Sequence, residues 1–475
     1  MGLGFHDDIA YAKLAYLVSE GKLHIPKSPS VFIFIFRPGV YYPMAFFYKL
    51  FGVSEYTASL PFILFSMGII IVTYFLGKTL FNERVGLISA ILLSVFPLFL
   101  FYTTQYGPDI PLTFFVSSSI LFFIKGEQNP KIRKRFYFLS GLFMGFAYIT
   151  KITFAVFFPL YLIYIIKKIL EDKKFHRDYL FLLIGLLMVF ILENVYYHTI
   201  TDQWLLNLRS NFVTYNIPLN PNPDTYFYFK ALFNMITIDD FYFFGFFSYI
   251  ALPSILYLIK KREKNSFYVI VWLILIYIMM EFIIPLLTSI QAIEKDVRFL
   301  IILLPPFVII ISKFLDDIAK HSKILSLIIF SLLILTSIYY SWDSTSYVRT
   351  ARGDIREAYN FLKDLPPRKI YTNIGYGDRL KFFFGFEESA INAYNCAVID
   401  CSSDYYNSGK YIKDAYVILY PDADPLFRKG DYPQFVFDPP NNWRLLKIID
   451  LEPPIKHNYL HIKEYNPEIY YAPPN

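Results

Sequence analysis

About ten apolar runs approach the length that a lipid bilayer demands of a spanning segment. The hydrocarbon core is roughly 30 Å thick, so a helix needs about 20 apolar residues to cross it. The runs fall at 55–77, 85–105, 109–124, 136–149, 152–166, 179–198, 241–259, 266–288, 299–312 and 324–341. Lipid offers the backbone no hydrogen-bond partner, so each run is expected to be helical. Composition agrees: 18% of the 475 residues are charged, against about 25% in a soluble domain. The expected fold class is a polytopic α-helical membrane protein with about ten transmembrane helices and a C-terminal soluble α/β domain. The expected domains are a first external loop with amphipathic juxtamembrane helices (1–54), a transmembrane domain (55–342) and the external α/β domain (343–475).

Orientation follows from where Lys and Arg fall between the spans. Loops 78–84, 125–135, 167–177, 260–264 and 313–323 hold 19 of them. The alternate set, 1–54, 106–108, 150–151, 199–240 and 289–298, holds 10 over more than twice the length. The alternation runs unbroken and places the first set in the cytoplasm, with the N-terminal head and the C-terminal segment outside. "MGLGF" is neither basic nor long enough for a signal peptide, so an upstream helix is expected ahead of it. The net charge of +6 is accounted for by the cytoplasmic loops and calls for no nucleic-acid partner.

After about 343 the pattern changes. "SYVRTARGDIREAYNFLKDLPPRKIYTN" predicts an amphipathic helix ending before Pro366 and Pro367, then a short strand. "AYVILYP" and "WRLLKIIDL" predict a buried and a half-buried strand. Cys396 and Cys401 are the only cysteines. They could bridge on an oxidising face or stay two free thiols, and their neighbourhood lacks further metal ligands at suitable spacing.

The chemistry-bearing residues cluster on the external side of this topology. Asp7 and Asp8 precede an amphipathic run ending near Gly21. One Asp suffices as a helix cap, which leaves the other acid over. Asp109, between Pro108 and Pro111, opens the third span at the same membrane level. Basic residues are scarce on this face. Arg37 in "FIFRPGVYYP", Lys151 in "AYITKITF" and Arg298 in "EKDVRFLIILLPP" are the exceptions. Singly, each fits a side chain snorkelling to the interface. Together, three cations beside two or three acids fit an anionic, lipid-linked substrate with acid/base chemistry next to it. Glu193 and Glu281 fall near span ends, where ionisable groups are costly, and pairing with tyrosines is their expected role. His198 is expected at the interface and Asp239-Asp240 as a helix cap.

These motifs, in this order, resemble the GT-C glycosyltransferases, in the group of dolichyl-phosphate-mannose protein mannosyltransferases and lipid A aminoarabinose transferases. The resemblance runs over about residues 5–315: "HDDIAYAKLAYLVSEGKL", "RPGVYYP", "KLFGVSEYTASLP", "QYGPDIPLTFF", "GLFMGFAYITK" and "VRFLIILLPPFVII". It implies a transferase using a polyprenyl- or dolichyl-phosphate-linked sugar on the external face of the cell membrane, with a protein, lipid or glycan as acceptor. It implies Asp7 as the acceptor-activating base with Asp8 beside it. Asp109 becomes a second acid, and Arg37, Lys151 and Arg298 the residues that bind the donor phosphate. A divalent metal ion, with Asp7 and Asp109 as ligands, is an open possibility under the same resemblance. Phe36 stands where some relatives have an acid that takes part in metal binding. The alternatives are a transporter or flippase for lipid-linked sugars, and a scaffold whose external unit binds a partner.

Overall fold

The computed structural model of the protein describes residues 6–29, 32–215, 226–233, 244, 246–283, 296–351, 353–386, 391–394, 402–419, 432–449 and 467–474. Cys396, Cys401, Asp239 and Asp240 lie outside them. Two helices, α1 (His6–Ser19) and α2 (Pro38–Phe51), precede the first long apolar one, α3 (Glu55–Leu80). Ser54 and Thr57 open α3 with a reciprocal capping box that satisfies two free backbone donors. The chain continues through α4 (Glu83–Ser94), α5 (Pro97–Tyr102), α6 (Asp109–Gln128), α7 (Arg133–Tyr148), α8 (Phe158–Asp172) and α9 (Leu180–Thr201). Next come α10 (Leu206–Tyr215), α11 (Phe227–Phe233), α12 (Phe247–Lys261) and α13 (Ser266–Ile278). The bundle closes with α14 (Leu304–His321) and α15 (Lys323–Ala351).

Six of the ten expected spans are helices long and apolar enough to cross a membrane. They are Glu55–Leu80, Asp109–Gln128, Ile152–Asp172, Arg177–Thr201, Val297–His321 and Lys323–Trp342. The other four are shorter among the described residues. Run 85–105 is split between α4 and α5 at Pro97, which starts a new helix because it cannot donate into the old one. The helices α7, α12 and α13 have 16, 15 and 13 residues, about 20–24 Å at 1.5 Å per residue. Helix α15 runs past position 342, the expected edge of the membrane domain, as far as Ala351.

Helices α7 and α9 cross at backbone distance. A Cβ on Gly141 would meet the Leu182 carbonyl, and one on Gly185 would stand 2.3 Å from the Phe138 carbonyl. Small residues permit such crossings where lipid supplies no hydrophobic drive between helices. Helix α14 is the centre of the bundle, with every residue from Leu304 to Ile311 buried. Helix α15 instead exposes Ile324, Leu327, Ile328, Leu335 and Ile338, a surface suited to lipid.

The five basic loops meet at one end. Asn82 donates to Asp316 at 3.1 Å, Gln128 to the Thr79 carbonyl at 3.1 Å and Asn265 to the Leu80 carbonyl at 2.6 Å. Lys264 lies 3.1 Å from Glu171. The same helices carry Asp109 and Lys151 at their other end.

The C-terminal segment adds helices α16 (Gly353–Leu362) and α17 (Ile374–Phe383) and a five-stranded sheet. Strands β1 (Lys369–Thr372), β2 (Ile391–Ala393), β3 (Ala415–Leu419), β4 (Arg444–Ile448) and β5 (Glu468–Ala472) take the order β2-β1-β3-β5-β4. β1 is parallel to β2 and β3, while β5 is antiparallel to β3 and β4. All of β3 is buried, and β4 is the partly exposed edge. Alternate β3 residues serve two cores, Tyr416 and Ile418 under α16 and α17, and Val417 and Leu419 on the opposite face. The unit docks on the non-basic end of the bundle. Arg356 donates to Glu55 at 2.8–3.1 Å, and Phe386 stacks on Tyr16 with centroids 5.3 Å apart.

Candidate active site

Asp7 and Asp8 occupy the first turn of α1, where a negative charge is favoured by the helix dipole. Asp8 is buried, and Asp7 is turned outward to Arg298, whose Nη1 donates to Asp7 Oδ2 at 3.0 Å. Asp7 is therefore an ion-pair partner as well as a first-turn acid. Asp109 begins α6 directly after Pro108 and is buried. Its Oδ1 accepts from Lys151 Nζ at 2.7 Å, and its Oδ2 lies 3.9 Å from Arg298 Nε. Asp7, Arg298, Asp109 and Lys151 therefore form one chain of charges.

Arg37 joins this group through the backbone. It sits between a 3₁₀ turn, Ile33–Phe36, and α2, which opens with Pro38 at its first position. The Gly39 amide donates to the Ile149 carbonyl at 3.1 Å, and a Cβ on Gly39 would stand 2.3 Å from Thr150 Oγ1. Only glycine lets the start of α2 lie against the 149–151 turn, and so brings Arg37 beside Lys151. Arg37 Nη1 donates to Tyr11 Oη at 2.6 Å, and its guanidinium faces the Phe34 ring at 5.5 Å. Burial holds the Tyr11 hydroxyl protonated, with a pKa well above the ordinary phenol value.

Lys151, in the turn between two spans, is strongly perturbed. Burial lowers its pKa to about 8, the opposing pull of Asp109 notwithstanding, and the nearby Arg37 and Arg298 push in the same direction as burial. Its ammonium lies 3.9 Å from the Phe299 ring centroid, close enough for a cation–π contact. Asp296, on the other side of Arg298, caps the following helical turn through Oδ1 and the Arg298 amide at 2.9 Å, and its Oδ2 lies 3.0 Å from Arg298 Nε. Burial raises the Asp296 carboxyl pKa, and Arg298 offsets part of that rise.

All six expected site residues thus lie at one end of the bundle. Sequence inspection missed Tyr11, Asp296 and Phe299. Tyr11 falls one helical turn after Asp7, on the same face, and Asp296 precedes Val297 as a capping acid. Those signals were present in the chain. Phe299 had no signal among 51 phenylalanines. Glu193 and Glu281 belong elsewhere. Glu193 accepts from Tyr148 and Asn207, each at 2.6 Å, and Glu281 from the Phe229 amide at 3.0 Å and Tyr277 at 3.4 Å. His198 stacks on Trp204 with centroids 4.2 Å apart.

The donor set does not fit a metal ion as it stands. Asp7 and Asp109, the expected ligands, each direct oxygens to cations. Among the described residues no three His, Cys, Asp or Glu side chains gather closely enough to hold one.

Comparison with known proteins bears on this geometry. Residues 36–197, which include Arg37, Asp109 and Lys151, match the family model of dolichyl-phosphate-mannose-protein mannosyltransferases. An uncharacterized protein of Aquifex aeolicus is 23% identical over 421 residues, 85% of this chain and 84% of that one. The fold is similar to the crystal structure of ArnT from Cupriavidus metallidurans in the apo state, with a TM-score of 0.62 at 14% identity, covering 100% of this chain and 95% of that one. ArnT bound to undecaprenyl phosphate gives 0.61 at 13% identity, covering 100% and 96%. The Archaeoglobus fulgidus oligosaccharyltransferase in complex with Zn and sulfate gives 0.52 at 13% identity, covering 88% of this chain and 64% of that one. The family match spans Arg37, Asp109 and Lys151 of the charged rim, and the fold is similar to that of ArnT from end to end.

Proposed function

We propose that the chain is a membrane glycosyltransferase that moves a sugar from a polyprenyl- or dolichyl-phosphate carrier to an acceptor on the extracytoplasmic face of the cell membrane. One observation carries the reading: Asp7, Arg298, Asp109 and Lys151 are linked at the end of the bundle opposite the basic loops, with Arg37 beside them. The positive-inside rule assigns the basic loops to the cytoplasm and hence this rim to the outside. The ArnT relative's undecaprenyl phosphate supports a lipid phosphate as the donor's carrier.

In this reading the donor phosphate lies among Arg37, Lys151 and Arg298. An acceptor hydroxyl or amide attacks the anomeric carbon, and the bond from that carbon to the phosphate oxygen breaks. Its electron pair leaves with the lipid phosphate, where the three cations stabilise the growing charge. Asp7 takes the acceptor proton, a role worth about 10²–10⁴ in rate. Asp8 and Asp109 hold the acceptor and the cations in place. Without substrate Lys151 is paired with Asp109, and Arg298 with Asp7 and Asp296. A phosphate that competes for Arg298 frees the Asp7 carboxylate, so donor binding readies the base. A direct displacement inverts the anomeric centre. An apolar cavity of about 140 Å³ between α12, α13 and the Val297–His321 helix, lined by Phe244, Ala251, Leu273, Leu303 and Phe307, offers room for a short stretch of the lipid tail.

The test is transfer by the full-length protein in nanodiscs supplied with decaprenyl-phospho-sugars and a membrane extract as acceptor source. Asp7→Asn should abolish transfer and still bind decaprenyl phosphate. Full activity in that variant would refute the assignment.

A further inference from the structure

Glu193 is a buried acid that the proposed chemistry does not use. It lies in the second half of α9 and is 8% exposed. Among the described residues its oxygens accept from neutral donors only, Oε2 from the Tyr148 hydroxyl and Oε1 from Asn207 Nδ2, each at 2.6 Å. An ionisable group in a spanning helix is costly and points to function before packing. Packing does not need it here. Helices α7 and α9 already meet at Gly141, Gly145 and Gly185, where a Cβ on Gly145 would stand 2.6 Å from Val189 Cβ. The acid must supply something that close packing does not.

What it supplies is a fixed end to α7. Tyr148 is the last residue of that helix. Its hydroxyl is held by Glu193, and its ring meets Phe190 of α9 and Phe154 beyond the turn, each with centroids 5.5 Å apart. Tyr148 is thus anchored on both sides of residues 149–151. Within that turn the Thr150 and Lys151 amides donate to the Ala147 carbonyl at 3.1 and 3.0 Å. The backbone therefore follows one tight path from Tyr148 to Lys151, whose ammonium must reach Asp109 at 2.7 Å. The other oxygen of Glu193 is supported in turn. Asn207 accepts from Asn211 at 2.6 Å, and the Leu205 amide donates to Asn194 at 2.9 Å, which ties the start of α10 to α9. Binding groups are held to sub-ångström tolerance by hydrogen bonds one layer behind them. Resting on the function proposed above, we infer that Glu193 is a positioning residue for the donor phosphate, which acts through Tyr148 to fix the turn that presents Lys151.

The experiment measures the affinity of full-length protein in nanodiscs for undecaprenyl phosphate and for undecaprenol. The proteins compared are wild type, Glu193→Met, Tyr148→Phe, Lys151→Ala and the double variant Glu193→Met/Lys151→Ala. Methionine keeps the length of the side chain and removes both acceptors, and Tyr148→Phe cuts the same bond from the other side. Each of these two variants should lower the preference for the phosphate over the alcohol at least threefold, the worth of about one hydrogen bond. Each should leave the affinity for undecaprenol within about twofold of wild type, which a merely structural role would not do. Adding Glu193→Met to Lys151→Ala should cost less than about twofold more, because the residue being positioned is gone. A smaller loss of preference in either single variant, an equal loss for both lipids, or a larger further loss in the double variant each overturns the positioning role. A wild type without any preference for the phosphate overturns the proposed function instead, and the positioning role with it.

Discussion

At the basic end of the bundle, Asp317 accepts from Lys261 at 2.6 Å, Lys320 at 2.7 Å and Lys313 at 2.9 Å. At the other end, Arg298 lies 3.0 Å from both Asp7 and Asp296. In each case one charge is shared among several of opposite sign. The surroundings differ. Lys261 and Lys320 keep 37% and 57% of their side chains in solvent, while Lys313 and Asp317 keep 5% and 3%, so water screens the two outer lysines and a buried pair at the centre ties the helix ends together. Asp109 and Lys151 keep 9% and 7%, and Phe299 and Tyr102 pack against the group. Buried pairs of this kind seldom repay their desolvation in stability. Asp8, Asp109, Arg37 and Lys151, buried beside the half-buried Asp7, Asp296 and Arg298, are better explained by what they bind.

The sharpest way to break the contrast is to neutralise one acid at each end. Asp7→Asn should lower transfer by about 10²–10⁴, the usual worth of a positioned base, and leave the melting temperature near wild type. Asp317→Asn should do the reverse, lowering the melting temperature by ~2–4 °C and leaving transfer within about twofold. Turnover assays and thermal melts of both variants decide it. Next in size is Arg298→Lys, which keeps the charge and discards the fork that reaches two partners at once. The KM for the donor should rise about tenfold or more, with a smaller change in kcat.

Lys151 sharpens the comparison through pH. Its ammonium is present below about 8 and lost above it, so donor KM should climb as pH passes 8, while Lys151→Arg should remove that climb. Stability runs the other way. The unfolded chain holds the lysine proton up to about 10.5, so the folded protein gains relative stability as pH rises from 8 toward that value. A KM that falls above pH 8 would contradict the assignment of Lys151 to the phosphate. The smallest effect is expected from Tyr11→Phe, which removes the hydroxyl that receives Arg37. A loss of about threefold to tenfold in kcat/KM follows from one hydrogen bond to a charged group.

The chain announced its bundle through apolar length and its polarity through the loop charges. Both signals reflect the cost of placing polar groups in hydrocarbon, a cost that local sequence states openly. Among the described residues Pro97 divides one expected run and α7 has 16 residues, because composition measures apolarity and not helix length. Arg37, Lys151 and Arg298 were visible because basic residues are scarce on this rim, and Asp109 because it opens a span between two prolines. Their connectivity was not visible. The pairing of Asp7 with a residue 291 positions away depends on how helices cross, and the clearance at Gly39 that seats Arg37 has no local signature beyond a glycine after a proline.

The central claim is that this rim holds the phosphate of a lipid carrier. It is tested most directly by comparing the affinity of full-length protein in nanodiscs for undecaprenyl phosphate and for undecaprenol, in wild type, Lys151→Ala and Arg298→Ala. The phosphate should bind at least tenfold more tightly than the alcohol in wild type, about 1.4 kcal/mol, and each variant should lose most of that difference. Equal binding of the two lipids, or a difference that survives both substitutions, would contradict it.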